Sequence, residues 1–224
     1  MTMTLSLARR LAASRPFVAA ALLALAAPVV SVAAPPPATP ATAIDPQVEQ
    51  AVAALRAITT LQADFVQTDR NGQRLTGVLS MQRPGKIRFQ YQPGIPLLIV
   101  SDGSALTLID YEVRQVQRWP IKNSPLGALL DPNKDVARFA TLNPTGHSEV
   151  ISLDVRDPRH PEYGSITMIM LKKPSAPGGW ELNSWVALDS QNRRTTVRLT
   201  NQRYGVALPS NTFRWTDPRG SGRK

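Results

Sequence analysis

The sequence predicts an α+β protein built on one large antiparallel sheet. Three observations predict it. Runs of alternating apolar and polar residues follow one another with short turns between them, as sequential antiparallel strands do. A single amphipathic helical pattern precedes them. Between residues 122 and 143 the pattern turns helical again, in short pieces. Many strands and few helices imply a sheet covered by helices on one face.

The helix opens at Asp45-Pro46, an N-cap followed by proline in the first turn. Val48, Ala51, Val52, Leu55 and Ile58 then recur at helical spacing, and the pattern ends near Thr59-Thr60. Leu61, Ala63 and Phe65 begin the period-two region. Leu79 and Met81 alternate with Ser80 and Gln82, and Ile87, Phe89 and Tyr91 alternate with Arg88 and Gln90. Asn71-Gly72 and Pro84-Gly85 separate these runs, and Asp102-Gly103 is a hairpin signal. Further strands are expected at 97–101, 104–110, 113–119, 148–155, 164–172, 180–188, 194–203 and 212–215, about eleven in all. In the helical stretch, Pro125 starts a short helix with Leu126, Leu129 and Leu130 on one stripe. Asp131-Pro132 interrupts it, and a second turn holds Val136, Phe139 and Ala140.

The N-terminal 33 residues carry Arg9, Arg10 and Arg15, then an apolar run from Phe17 to Ala27, then Ser31-Val32-Ala33. This order is that of a secretory signal peptide, and the run is shorter than the ~20 residues that span a bilayer. Residues 34–44, rich in Pro, Ala and Thr, read as a disordered linker. Residues 45–218 form one domain, and 219–224 a basic tail. The expected location is the periplasm, in soluble form. The chain has no cysteine, which removes disulfides, thiol catalysis and a lipidated N-terminal cysteine.

The chain has 26 basic and 16 acidic residues, a net charge of +10. Loss of the three arginines before Ala34 leaves about +7. Such a balance fits anionic membranes, lipids or acidic partners, or else a merely solubilising surface. An export signal argues against nucleic acid. His147 and His160, the two histidines, sit beside turn residues and not at a metal-ligand spacing; there is no G-x-S-x-G nucleophile elbow. No enzyme, metal or cofactor is expected.

Few helices must cover an extended sheet. Either the sheet closes into a barrel, or it curves around a partly empty apolar space. Arg83 is the anomaly: by strand parity it shares a face with Leu79 and Met81. Either the strand ends first and Arg83 is solvated before the Pro84-Gly85 turn, or it donates to backbone carbonyls of a helix that closes the space, since a buried cation needs partners.

Several stretches resemble the outer-membrane lipoprotein carrier (LolA) family. They are Leu61-Gln62-Ala63-Asp64-Phe65-Val66-Gln67, the pair of strands Gly77 to Tyr91 around Arg83-Pro84, and Ile99-Val100-Ser101-Asp102-Gly103 with Leu106 and Asp110. Ser124 to Leu130 stands where the family has a short lid helix. Trp185 to Asp189, Arg194 to Leu199 and Phe213-Arg214-Trp215 are similar to its C-terminal strands. The resemblance spans nearly all of 46–219 in order. It implies an unclosed β-barrel over an apolar cavity, lined or lidded by helices, and a periplasmic carrier that ferries lipoproteins from inner to outer membrane by their acyl chains. The implied partners are acylated lipoproteins, an inner-membrane release complex and an outer-membrane acceptor, with the carrier a monomer. Arg83 falls on the family's lid-fastening arginine, and Phe89 on an inward aromatic that is often tryptophan. The expected acyl-chain cavity is Leu79, Met81, Ile87, Phe89 and Tyr91 from the sheet, with Leu126, Leu129, Leu130 and Phe139 from the lid. Carriage or sensing of another lipid, a glycolipid or phospholipid, is the alternative on the same fold.

Overall fold

A computed structural model describes residues 44–121 and 137–220. The expected signal peptide, most of the linker, the tail from 221 and the lid residues Leu126, Leu129 and Leu130 lie outside the described residues.

Helix α1 runs Pro46–Ala57. The Asp45 carboxylate accepts from Gln47 N–H at 2.8 Å, satisfying a donor that the first turn leaves orphaned. Asp45→Ala is therefore expected to lower stability by about 1 kcal/mol in chemical denaturation, and Asp45→Asn by less. Val48, Ala51, Val52, Ala54 and Leu55 are buried along one stripe.

Eleven strands follow: β1 (Thr60–Thr68), β2 (Arg74–Gln82), β3 (Lys86–Tyr91), β4 (Leu97–Asp102), β5 (Ala105–Asp110), β6 (Gln115–Pro120), β7 (Ala140–Asn143), β8 (Val150–Val155), β9 (Ser165–Lys172), β10 (Trp180–Leu188) and β11 (Arg194–Tyr204). They form one antiparallel sheet in the order β6-β5-β4-β3-β2-β1-β11-β10-β9-β8-β7. The first and last strands of the chain pair at its centre, and two meanders spread outward to β6 and β7, the outermost strands among the described residues. The sheet is thus an unclosed barrel. Register shifts at Asn201 on β11 and between Leu182 and Ser184 on β10 add local bends.

One face of the sheet, here the inner face, packs on α1. Ala51, Ala54, Leu55 and Ile58 meet Leu61, Phe65, Met168, Leu182, Trp185 and Leu199 in the main core. The loop before β10 seats the helix. Gly178 has φ +68, and a Cβ there would stand 2.7 Å from Ala54 Cα, so the Pro/Gly-laden stretch 174–179 is the cradle of α1.

Two expectations are corrected. Residues 212–215 are not a strand but turns and irregular chain, because their aromatic side chains bind the sheet from outside. Conversely, the expected helical turn around Phe139 shrinks to a 3-10 turn at 137–139, and Ala140–Asn143 pairs with β8 as β7. Cross-strand packing of Leu142 on Leu153 outweighs a short helical pattern.

Candidate functional site

The five sheet residues expected to line a cavity are brought together. Leu79 faces Phe89 and Met81 faces Ile87 across β2–β3, while Tyr91 stands opposite Gly77. All five are buried within the main core. Phe65 joins them from β1, its ring 5.2 Å from Phe89 and 5.3 Å from Tyr91, edge to face in both cases. Phe89 in turn lies 6.1 Å from Trp185 of β10. The Tyr91 hydroxyl donates to Gln67 Oε1 at 2.8 Å, and burial pushes its pKa up to about 12. Phe139 is half-buried against the same cluster.

The apolar inner face does not end there. Leu97 and Ile99 of β4 and Leu106 of β5 pack on the core from its margin and stay half-buried. Leu108 shares their face, and Trp119, opposite Leu106 on β6, is 45% exposed. Along the inner face the apolar surface thus passes from sealed at β1–β3 to open at β4–β6. Sequence reasoning placed these strands but missed this wall. The unbroken apolar run Leu97-Leu98-Ile99-Val100 signals that both faces of β4 are apolar, but not that the inner one is left half-open.

The other cover is the C-terminal chain. Phe213 and Trp215 pack from outside on Leu98, Val100, Ile109 and Val116. Arg88 Nη1 donates to the carbonyls of Thr212 at 3.2 Å and Arg214 at 2.9 Å, while Lys86 Nζ stands 5.9 Å over the Phe213 ring. Burial pulls the Arg88 pKa below its ordinary value.

Arg83 lies just past β2 and is half-buried. Its Nε donates to the Ile58 carbonyl at 2.8 Å, and its backbone N–H to the Thr59 carbonyl at 2.9 Å. Ile58 is the C-cap of α1, so the guanidinium satisfies a carbonyl that the helix leaves orphaned. The neighbouring turns are fixed to each other. A Cβ on Gly85 would stand 2.7 Å from Gly103 Cα, and Ser101 Oγ donates to the Gly85 carbonyl at 2.7 Å. Burial alone would raise the Asp102 pKa, but hydrogen bonds from Ser104 and Ala105, with Arg118 nearby, hold it at about 2.

The histidines belong to turns. His160 Nδ1 lies 2.9 Å from Glu162 Oε1 in an exposed pair. Among the described residues no group of three acidic or histidine side chains could hold a metal ion, and no helix is long and apolar enough to cross a membrane.

The pattern of the outer membrane lipoprotein carrier protein LolA family matches residues 56–216. The chain belongs to that family. The match opens in the last turn of α1, takes in the whole sheet and closes just beyond Trp215. Two relatives are named outer-membrane lipoprotein carrier protein. That of Dechloromonas aromatica is 31% identical over 171 residues, 72% of this chain and 79% of its own. That of Chromobacterium violaceum is 32% identical over 191 residues, 78% of this chain and 87% of its own. A crystal structure of a LolA superfamily protein from Nitrosomonas europaea aligns with a TM-score of 0.41 at 9% identity, covering 74% of this chain and 97% of that one. Members of the LolA family are carriers, not enzymes.

Proposed function

We propose that this LolA-family chain is a periplasmic carrier that binds the acyl chains of lipoproteins on its inner face and ferries them from the inner to the outer membrane. One observation carries the reading: an apolar inner face continuous from a sealed core to the half-open wall of Leu97, Ile99, Leu106, Leu108 and Trp119. The names of the two relatives agree with it. Acyl chains enter along the β4–β6 wall and extend toward Phe89 and Tyr91. Leu126, Leu129 and Leu130 of the family's lid segment cover them, with Phe139 beside it. An inner-membrane release complex is the donor and an outer-membrane acceptor the recipient, with the carrier acting as a monomer after loss of residues 1–33. Residues 34–44 are its linker, 45–218 the lipid-binding domain and 219–224 the basic tail.

Burial of one methylene stabilises by ~0.8 kcal/mol, so one sixteen-carbon chain is worth on the order of 10 kcal/mol. Release into water would be very slow. Hand-over must therefore run from one apolar pocket directly to another, with protein segments competing for the wall. Arg83 is the proposed latch in that competition, because it fastens the end of α1 beside the β2–β3 turn.

Native mass spectrometry of the purified protein with an acylated lipopeptide and its non-acylated counterpart tests the reading. Stoichiometric, acyl-dependent binding is expected, and Trp119→Ala with Leu106→Gln should weaken it about tenfold or more, equal to 1.4 kcal/mol. Equal binding of both peptides, or of neither, overturns the carrier. Preference for free phospholipid or glycolipid assigns the same wall to a different lipid.

A further inference from the structure

The outer face of the sheet carries a charge asymmetry that acyl-chain binding does not use. Strands β11, β1, β2 and β3 are neighbours. Their basic residues are Arg74, Lys86, Arg88, Arg194, Arg198 and Arg203, and all six lie on the outer face. Asp64, the one carboxylate of those four strands, accepts from Asn201 Nδ2 at 2.7 Å. The guanidinium of Arg203 is held by Gln62, and that of Arg88 by Gln90 and two backbone carbonyls. Amides and carbonyls orient these cations without neutralising them. Arg214 adds a further positive charge from the C-terminal chain at the border of the face.

The face is also shaped. Two depressions, of about 500 Å³ and about 760 Å³, meet at Gln62 and Val78. One is bounded by Asp64, Asn201, Gln202 and Arg203, the other by Asn211, Thr212 and Trp215 of the C-terminal chain, so that a single carboxylate, bonded to Asn201, stands among the cations. Cations therefore flank a trough whose walls offer side-chain amides, groups that donate to and accept from a peptide backbone.

We propose that this outer face docks an acidic polypeptide segment in extended form. Charge complementarity supplies the attraction and the trough the register. Arg203, Gln62, Ser80 and Arg88 stand in one row across four strands. Three strand spacings make that row about 14 Å long, the reach of about four extended residues. A segment with carboxylates at both ends of such a stretch would meet Arg203 and Arg88 together. A bilayer is the poorer occupant. Membrane-surface elements project apolar groups beyond their cations. Here the exposed apolar side chain of the face, Val78, lies at the floor where the two depressions meet.

The test uses the full mature chain and a fluorescent oligo-glutamate peptide carrying no lipid, so it is independent of acyl-chain binding. Anisotropy titrations at low and physiological salt should give a saturable affinity that weakens as salt rises. The variant Arg198→Glu/Arg203→Glu, at two exposed positions, should bind about tenfold or more weakly with an unchanged melting temperature. The control Arg156→Glu/Arg159→Glu removes the same charge at the exposed β8–β9 connection and should bind as the parent does. Equal losses in both variants would mean that net charge alone acts, which overturns the site. No binding to the peptide overturns it as well. Face-dependent binding to phosphatidylglycerol vesicles without peptide binding would replace the polypeptide by a membrane surface.

Discussion

Phe65→Ala should lower the unfolding free energy by about 3–5 kcal/mol, the largest stability loss we expect from a single side chain here. Phe65 is 1% exposed on the central strand β1, between the two meanders of the sheet. Its ring meets Phe89 and Tyr91 edge to face, and each such contact contributes about 0.5–1.5 kcal/mol beyond burial. The site cannot collapse easily once the ring is gone. The residue opposite Phe65 on β2 is Gly77, where a Cβ would stand 2.1 Å from the Gln90 carbonyl oxygen and 2.8 Å from Phe65 Cε1. Backbone thus already fills the space beneath the ring, and Phe65 occupies the volume that a side chain at 77 would take. Urea denaturation of the parent and variant measures the loss, with the slope of the transition expected to be unchanged. A loss below about 1.5 kcal/mol would mean that neighbouring side chains refill the space.

This packing explains what the sequence could and could not disclose. Phe65, Leu79, Met81, Ile87 and Phe89 are legible as inward residues because period-two alternation depends only on the pleat of each strand. The number of strands is also legible, although it comes out right through two compensating errors. Residues 212–215 alternate like a strand but lie across the sheet, and Ala140–Asn143 lies beside helical-looking residues but pairs as β7. Both depend on distant partners, Leu98, Val100 and Ile109 for the first and Leu153 for the second, which no local pattern encodes. The half-open wall is hidden for a similar reason. Leu106 and Phe89 look alike in sequence, and their different exposure depends on partners from other strands: Phe89 packs on Phe65 and Trp185, while Leu106 stays at the margin of the core. The basic balance was legible as a number, but its placement on one face depends on which strands are neighbours.

Arg83→Leu should abolish delivery of bound lipoprotein to the acceptor while the protein still folds and takes up cargo. Two readings were open from the sequence, a solvated arginine beyond the strand end and an arginine bonded to helix carbonyls. Arg83 Nε donates to the Ile58 carbonyl at the C-cap of α1, and the proposed latch takes α1 as the helix it fastens. A charge-assisted bond of this type contributes about 1.5–3 kcal/mol, and a cation at a helix C-terminus adds about 0.3–1 kcal/mol. That sum is smaller than the on the order of 10 kcal/mol expected for one buried acyl chain, so a filled carrier can tolerate an open latch. If Arg83 is the latch proposed above, the sum is nevertheless enough to bias the empty protein toward a closed form by tenfold or more, since 1.4 kcal/mol is a factor of ten. Without that bias, closure no longer helps to drive cargo out, and the loaded form becomes a trap. Arg83→Lys keeps the charge but presents one ammonium in place of the planar fork, and it should fall between parent and leucine variant. Transfer of a labelled lipoprotein from loaded carrier to acceptor, followed beside thermal unfolding and uptake, separates the outcomes. Full transfer by a folded Arg83→Leu protein would remove the latch, and loss of folding together with transfer would make Arg83 a structural cap of α1 only.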